Sequence, residues 1–153
     1  MTPNPPPDAQ ATVIAFLTAL AASDVEGAGA LLAEDVVYAN VGLPTIRGRR
    51  GVLRVLGPLA GHRARFEVYL HAVAADGAQV LTERTDVIEF GRLRFQFWVA
   101  GRFDVHDGQI TLWRDAFDYL DLARGFVRAL AGAVLPPLRP RAPGSPDVPP
   151  GRH

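Results

Sequence analysis

The chain has 153 residues, enough for one domain with a real core and a pocket. Its 16 Lys+Arg balance 16 Asp+Glu, and no basic cluster is interleaved with aromatics, so neither nucleic acid nor an anionic membrane is an expected partner. Cysteine is absent, which excludes disulfides, thiolate metal sites and thiol nucleophiles together.

Val13, Phe16, Leu17 and Leu20 recur at i, i+3, i+4 and i+7, and this apolar stripe predicts a first helix. Ser23 and Glu26 have the spacing of a capping box and predict a second short helix through Leu31 and Leu32. VVYAN (36–40) reads as a strand, after which Gly42 and Pro44 turn the chain. Residues 48–60 read as a helix with Val52, Leu53, Val55, Leu56 and Leu59 on its apolar face. From there the pattern is β: strands over 66–74, 78–90, 93–105 and 109–117, with hairpin signals at Asp76-Gly77 and Asp107-Gly108 and a break at Gly91. A last helix covers about 118–133. Helices followed by an antiparallel meander define an α+β domain, and bends at Gly91 and Gly101 would curl the sheet around an apolar interior.

Four of the thirteen prolines fall in residues 1–7 and seven in 136–153. The expected organisation is therefore a single domain over 9–135, with flexible proline-rich ends at 1–8 and 136–153. The N-terminus lacks a basic region followed by an apolar run, and no stretch reaches the roughly 18 apolar residues of a membrane span, so a cytoplasmic protein is the default expectation. All basic residues are Arg and none is Lys, a bias expected of a GC-rich, bacterial genome.

Several chemistries drop out. The only serines are Ser23 and Ser145, and neither lies in a G-x-S-x-G elbow. His62, His71, His106 and His153 are scattered without metal-ligand spacing, so no metal site is expected. No glycine-rich loop joins a strand to a helix, so no nucleotide cofactor is indicated either. Carboxylate, arginine, tyrosine and asparagine chemistry remains.

Arg84 and Asp86, two apart in a strand, leave the same face as Val80 and Ile88. Buried there, an ion pair must be fully compensated or functional; at a solvated edge it would be a surface pair of little value. Asp115 ends the last strand, where it is either a helix cap or free for chemistry, since Asp118 can cap equally well. Tyr38 and Asn40 repeat the two-residue spacing on the first strand, and a core tyrosine with a turn asparagine is the alternative.

The ordered segments VYAN (37–40), VLTERTD (80–86) and LWRDAFD (112–118) resemble the limonene-1,2-epoxide hydrolase family over nearly all of residues 10–133. That resemblance implies the fold of the nuclear-transport-factor-2 (NTF2-like) superfamily, a cone-shaped curved mixed β-sheet with N-terminal helices packed on its concave side. It implies Asp115 as the general base acting on water, Tyr38 and Asn40 as its holders, Asp86 as the general acid toward the epoxide oxygen, and Arg84 between the carboxylates. Such chemistry needs no cofactor and no covalent ester, since ring strain lets push from water and pull on oxygen suffice. Ile88, Phe97, Val99 and Phe117, neighbours of these residues, are expected to line the pocket or to be ordinary core, and an apolar lining implies a lipophilic epoxide substrate. The family resemblance also implies a homodimer. Two other readings stay open: an isomerase or cyclase of the same superfold, of ketosteroid isomerase or polyketide cyclase type, and a non-catalytic lipid- or steroid-binding module.

Overall fold

The computed structural model describes residues 8–143; residues 1–7 and 144–153, where most of the expected flexible ends fall, lie outside the described part. Helix α1 (Ala9–Ala21) is capped by Asp8, whose side chain accepts from the Gln10 amide, and it buries Val13, Phe16, Leu17 and Leu20. Helix α2 (Val25–Ala30) is capped by Asp24 rather than Ser23. Ser23 sits at φ 58, in the left-handed turn that closes α1, and the next residue aims its carboxylate at the Gly27 amide, 2.8 Å away. Leu32 does not belong to this helix: it opens strand β1 (Leu32–Asn40).

A two-residue strand, β2 (Ile46–Arg47), pairs with β1 through Val37 and Tyr38, and is too short to leave a periodic signal in sequence. The helix expected over 48–60 is two pieces, α3 (Arg49–Val55) and α4 (Gly57–Ala60). Pro58 is the cause: inside one continuous helix it would lack the amide donor and crowd the carbonyl four residues back, whereas in the first turn of α4 neither matters. Strands β3 (Arg65–Asp76), β4 (Gln79–Phe90), β5 (Leu93–His106) and β6 (Gln109–Phe117) form the meander. The sheet order is β2-β1-β6-β5-β4-β3, with β1 parallel to β6 and all other pairs antiparallel.

This is the curved mixed sheet expected, with α1 to α4 against one face. Phe16 of α1 meets Phe103 and Trp113 edge-on, and the core they share takes in Val80, Val105 and Ile110 from three strands. The last helix, α5 (Tyr119–Val134), solves a different problem. Strand β6 ends at Phe117 opposite Val99, which leaves β5 residues 93–98 without a neighbour on that side. Helix α5, capped by Asp118, fills the gap: Asp121 accepts from the Trp98 amide at 2.9 Å, and Gly125 lies so close that a side chain would overlap the Gln96 carbonyl oxygen.

Past α5, residues 136–138 differ from the extended tail expected of their prolines. Pro136–Leu138 form a 3-10 turn, Arg139 lies against Gly132 and bonds Glu89 at 3.3 Å, and Pro140 is buried. Glu89 belongs to an outer-face network in which Arg94 also binds Glu67 at 2.9 Å, and this gives the segment a charged anchor. No described helix is long and apolar enough to cross a membrane.

Candidate active site

Strand register brings the polar residues together. On β4, Thr82, Arg84, Asp86 and Ile88 share the inner face by alternation. Across β5 their partners are Gly101, Val99, Phe97 and Phe95, and Gly101 in turn pairs with Asp115 of β6. Asp115 and Arg84 are thus separated by a whole strand, and the length of an arginine side chain closes the distance. Arg84 Nε donates to Asp86 Oδ1 at 2.9 Å, Nη2 to Asp115 Oδ2 at 2.7 Å, and Nη1 to Thr82 Oγ1 at 3.2 Å.

All three groups are inside: Arg84 is 0% exposed, Asp86 4% and Asp115 3%. The surface ion pair considered from sequence is therefore not what the protein builds, and Asp118, not Asp115, caps α5. An isolated buried charge costs several kcal/mol, as an order of magnitude, and it is tolerated only when paired and hydrogen-bonded. Here one cation faces two carboxylates.

Burial raises both acids, and the Arg84 charge pulls each back. Asp86 is pushed up to about 6, first by desolvation and then by the neighbouring Asp115 charge. Asp115 is raised as well, by desolvation. Burial opposes the charge on Arg84 too, but the two carboxylates outweigh it and keep the guanidinium ionised more firmly than usual. Desolvation and then the Asp115 charge push Tyr38 up to about 12, so it remains a phenol able to donate.

Tyr38 and Asn40 lie on β1 in parallel register with Trp113 and Asp115. The Asn40 side chain lies beside the Tyr38 hydroxyl, and the Tyr38 ring stacks on Trp113 at 4.0 Å. Asp115 Oδ1 and Trp113 Nε1, an acceptor and a donor, are both buried without a well-formed hydrogen bond, although the indole N–H lies close enough to the carboxylate to pull the Asp115 carboxyl down. Buried polar groups are nearly always satisfied, so acceptor capacity left over at Asp115, a residue of the cavity wall, is available to a bound molecule.

The cavity that Asp115 and Trp113 help to line holds about 210 Å³. Asp86, Asp115 and Tyr38 are polar points in a wall made of Leu20, Val55, Leu56, Pro58, Leu59, Ala64, Phe66, Ile88, Phe90, Phe97, Trp113 and Phe117. Of the four lining residues expected, Ile88, Phe97 and Phe117 are there. Val99 is a correction: it is fully buried and outside the wall, a short side chain in register between the far longer Arg84 and Phe117. Arg84 and Asn40 stand behind the wall rather than in it.

Sequence reasoning missed Trp113, Thr82 and the contribution of α3 and α4. Trp113 and Thr82 each stand two residues from a carboxylate or arginine already singled out, so the period of two carried the signal. Val55 and Phe90 are 51% and 48% exposed, and large apolar groups left half in water at a cavity wall indicate its mouth.

The limonene-1,2-epoxide hydrolase catalytic-domain family matches residues 7–128, four-fifths of the chain. The chain belongs to the limonene-1,2-epoxide hydrolase family. It is 50% identical over 127 residues to the epoxide hydrolase EphG of Mycobacterium tuberculosis, which covers 83% of this chain and 85% of that protein. It superposes with TM-score 0.83 and 48% identity on the structure of an M. tuberculosis epoxide hydrolase of this family, over 88% of this chain and 95% of the other. A proposed polyketide cyclase of Xanthomonas campestris shares 24% identity at TM-score 0.66, over 76% of this chain and 96% of that one. The last likeness shows the NTF2-like fold alone.

Proposed function

We propose that this member of the family hydrolyses a lipophilic epoxide to a vicinal diol in one step, by general acid–base catalysis. Water is held by Tyr38 and Asp115, and Asn40, behind the wall, orients the Tyr38 hydroxyl. Asp115 takes one of its protons while its oxygen attacks a ring carbon, the opposite C–O bond breaks, and Asp86 gives its proton to the departing ring oxygen. The product is the diol, with Asp115 protonated and Asp86 ionised, and one proton returned from Asp115 to Asp86 restores the enzyme. Arg84 holds both carboxylates throughout and joins their titrations into one coupled set.

The observation that carries this reading is the division of labour at Asp115. Asp115 lines the cavity with Oδ2 held by Arg84, while Oδ1 is buried without a well-formed hydrogen bond, so the carboxylate keeps acceptor capacity for a water. The raised Asp86 supplies a carboxyl that can hold its proton in mildly acid solution. The apolar wall selects a lipophilic substrate. A binding module would have no need of two desolvated carboxylates facing its ligand.

A single turnover in heavy-oxygen water tests the mechanism. Label is expected in the diol from the first turnover. A first-turnover product carrying an unlabelled carboxylate oxygen from the protein would replace this mechanism with a covalent one.

We infer further that the protein is a homodimer. On α5, Leu120, Ala123, Val127, Leu130 and Val134 follow the three–four spacing of an apolar seam, and all five are exposed. A second copy of the chain is the occupant that would cover this seam.

A further inference from the structure

Gly101 has no conformational reason to be glycine. It lies within β5, paired on both sides, and its φ is not positive. Glycine in a strand interior weakens the strand, so a second requirement must act there.

The requirement is space. A Cβ on Gly101 would overlap Arg84 Nη1, lie 2.6 Å from Thr82 Oγ1 and stand 3.1 Å from Asp115 Oδ1. Gly101 is the β5 residue in register with Thr82 on one side and Asp115 on the other. The guanidinium, rooted on β4, has to pass over β5 to reach β6, and it passes here. Thr82 supports it on the way, accepting from Nη1 at 3.2 Å with its hydroxyl fixed by a β-branched, buried side chain.

We propose that Gly101 is a positioning residue, whose missing side chain opens the passage by which Arg84 reaches Asp115, with Thr82 as the third support of the guanidinium. The proposal rests on the reading of Asp115 as the base. It adds that a single methyl group at a position outside the cavity wall disables that base by displacing its cation.

Gly101→Ala is the test, with Gly57→Ala as control, because a Cβ at Gly57 meets nothing within 4 Å. On a lipophilic epoxide, Gly101→Ala is expected to lower kcat at least about 100-fold with KM changed less than about threefold, as for a catalytic group moved by about 1 Å. Losing Arg84 raises the Asp115 pKa, so the acid limb of kcat/KM is expected to move to higher pH. A smaller folded fraction would lower activity at every pH without moving the limb. Activity within about threefold of the parent and an unmoved limb would overturn the proposal.

Thermal unfolding gives a readout independent of turnover and of the proposed reaction. Gly101→Ala is introduced into the parent and into Arg84→Met, where the overlapping nitrogen is absent. The Tm loss is expected to be larger in the parent, or the parent variant fails to fold while the double variant folds. Equal losses, or failure of both to fold, would place the conflict elsewhere and overturn it. An unequal loss with no hydrolysis in any variant would keep the passage and discard the reaction.

Discussion

Arg84 and Asp115 are 31 positions apart and stand on strands that do not touch, yet Nη2 and Oδ2 meet at 2.7 Å. The same guanidinium holds Asp86, its neighbour on β4, at 2.9 Å. One cation therefore serves a local acid and a distant one. The local contact follows from strand alternation and the distant one from register across β5.

Asp115→Asn and Asp86→Asn each keep the shape of the side chain while removing the proton acceptor or donor. Either change is expected to reduce diol formation by at least about 100-fold, the lower end for an acid–base catalyst. Far-UV circular dichroism is expected to stay at the parent spectrum. Turnover near the parent rate in either variant would remove that residue from the mechanism.

The pH dependence has a definite sign. Asp86 must carry its proton, and with its pKa raised to about 6 the competent form declines tenfold per unit above that pH. Asp115 must be ionised, and since burial raises it too, activity is lost on the acid side. A profile of kcat/KM from pH 4 to 9 is expected to fall above about 6, with limbs belonging to the coupled pair. A rate still rising at pH 8 would contradict Asp86 as the acid.

Val55 and Phe90 wall the cavity at its exposed end and carry no group that could donate or accept a proton. Changing either to Ser is expected to raise KM about fivefold, the equivalent of roughly 1 kcal/mol of apolar contact, with kcat little changed. Steady-state kinetics on one epoxide separates the two parameters.

Gly125 brings α5 onto the open edge of β5. Gly125→Val would force the helix away from the Gln96 carbonyl, and overpacking of that kind costs about 1–3 kcal/mol. The expected result is a lower denaturant midpoint with an unchanged slope.

Val127→Glu or Leu130→Glu puts a charge in the exposed seam of α5. Sedimentation is expected to show the parent as a dimer and either variant as a monomer. A parent that sediments as a monomer at micromolar concentration would end the dimer reading.

Sequence alone was enough for whatever repeats along one element. The α1 stripe, the β meander and its hairpins, and the shared face of Arg84 and Asp86 all follow from periods of 3.6 and 2, which a single element's backbone imposes. Local chemistry was harder to read where two residues compete for one role. Ser23 and Asp24 could both cap α2, and only the left-handed backbone at Ser23 decides for Asp24. Tertiary structure decided everything that depends on neighbours across strands. Burial of the Arg84 pair, exclusion of Val99 from the wall, the missing segment of β6 that calls for α5, and the role of Gly101 are set by which strands lie side by side and in what register. Nothing local in the chain encodes those relations, because they arise only when backbone pairing fixes side chains from distant segments within a few ångströms of one another.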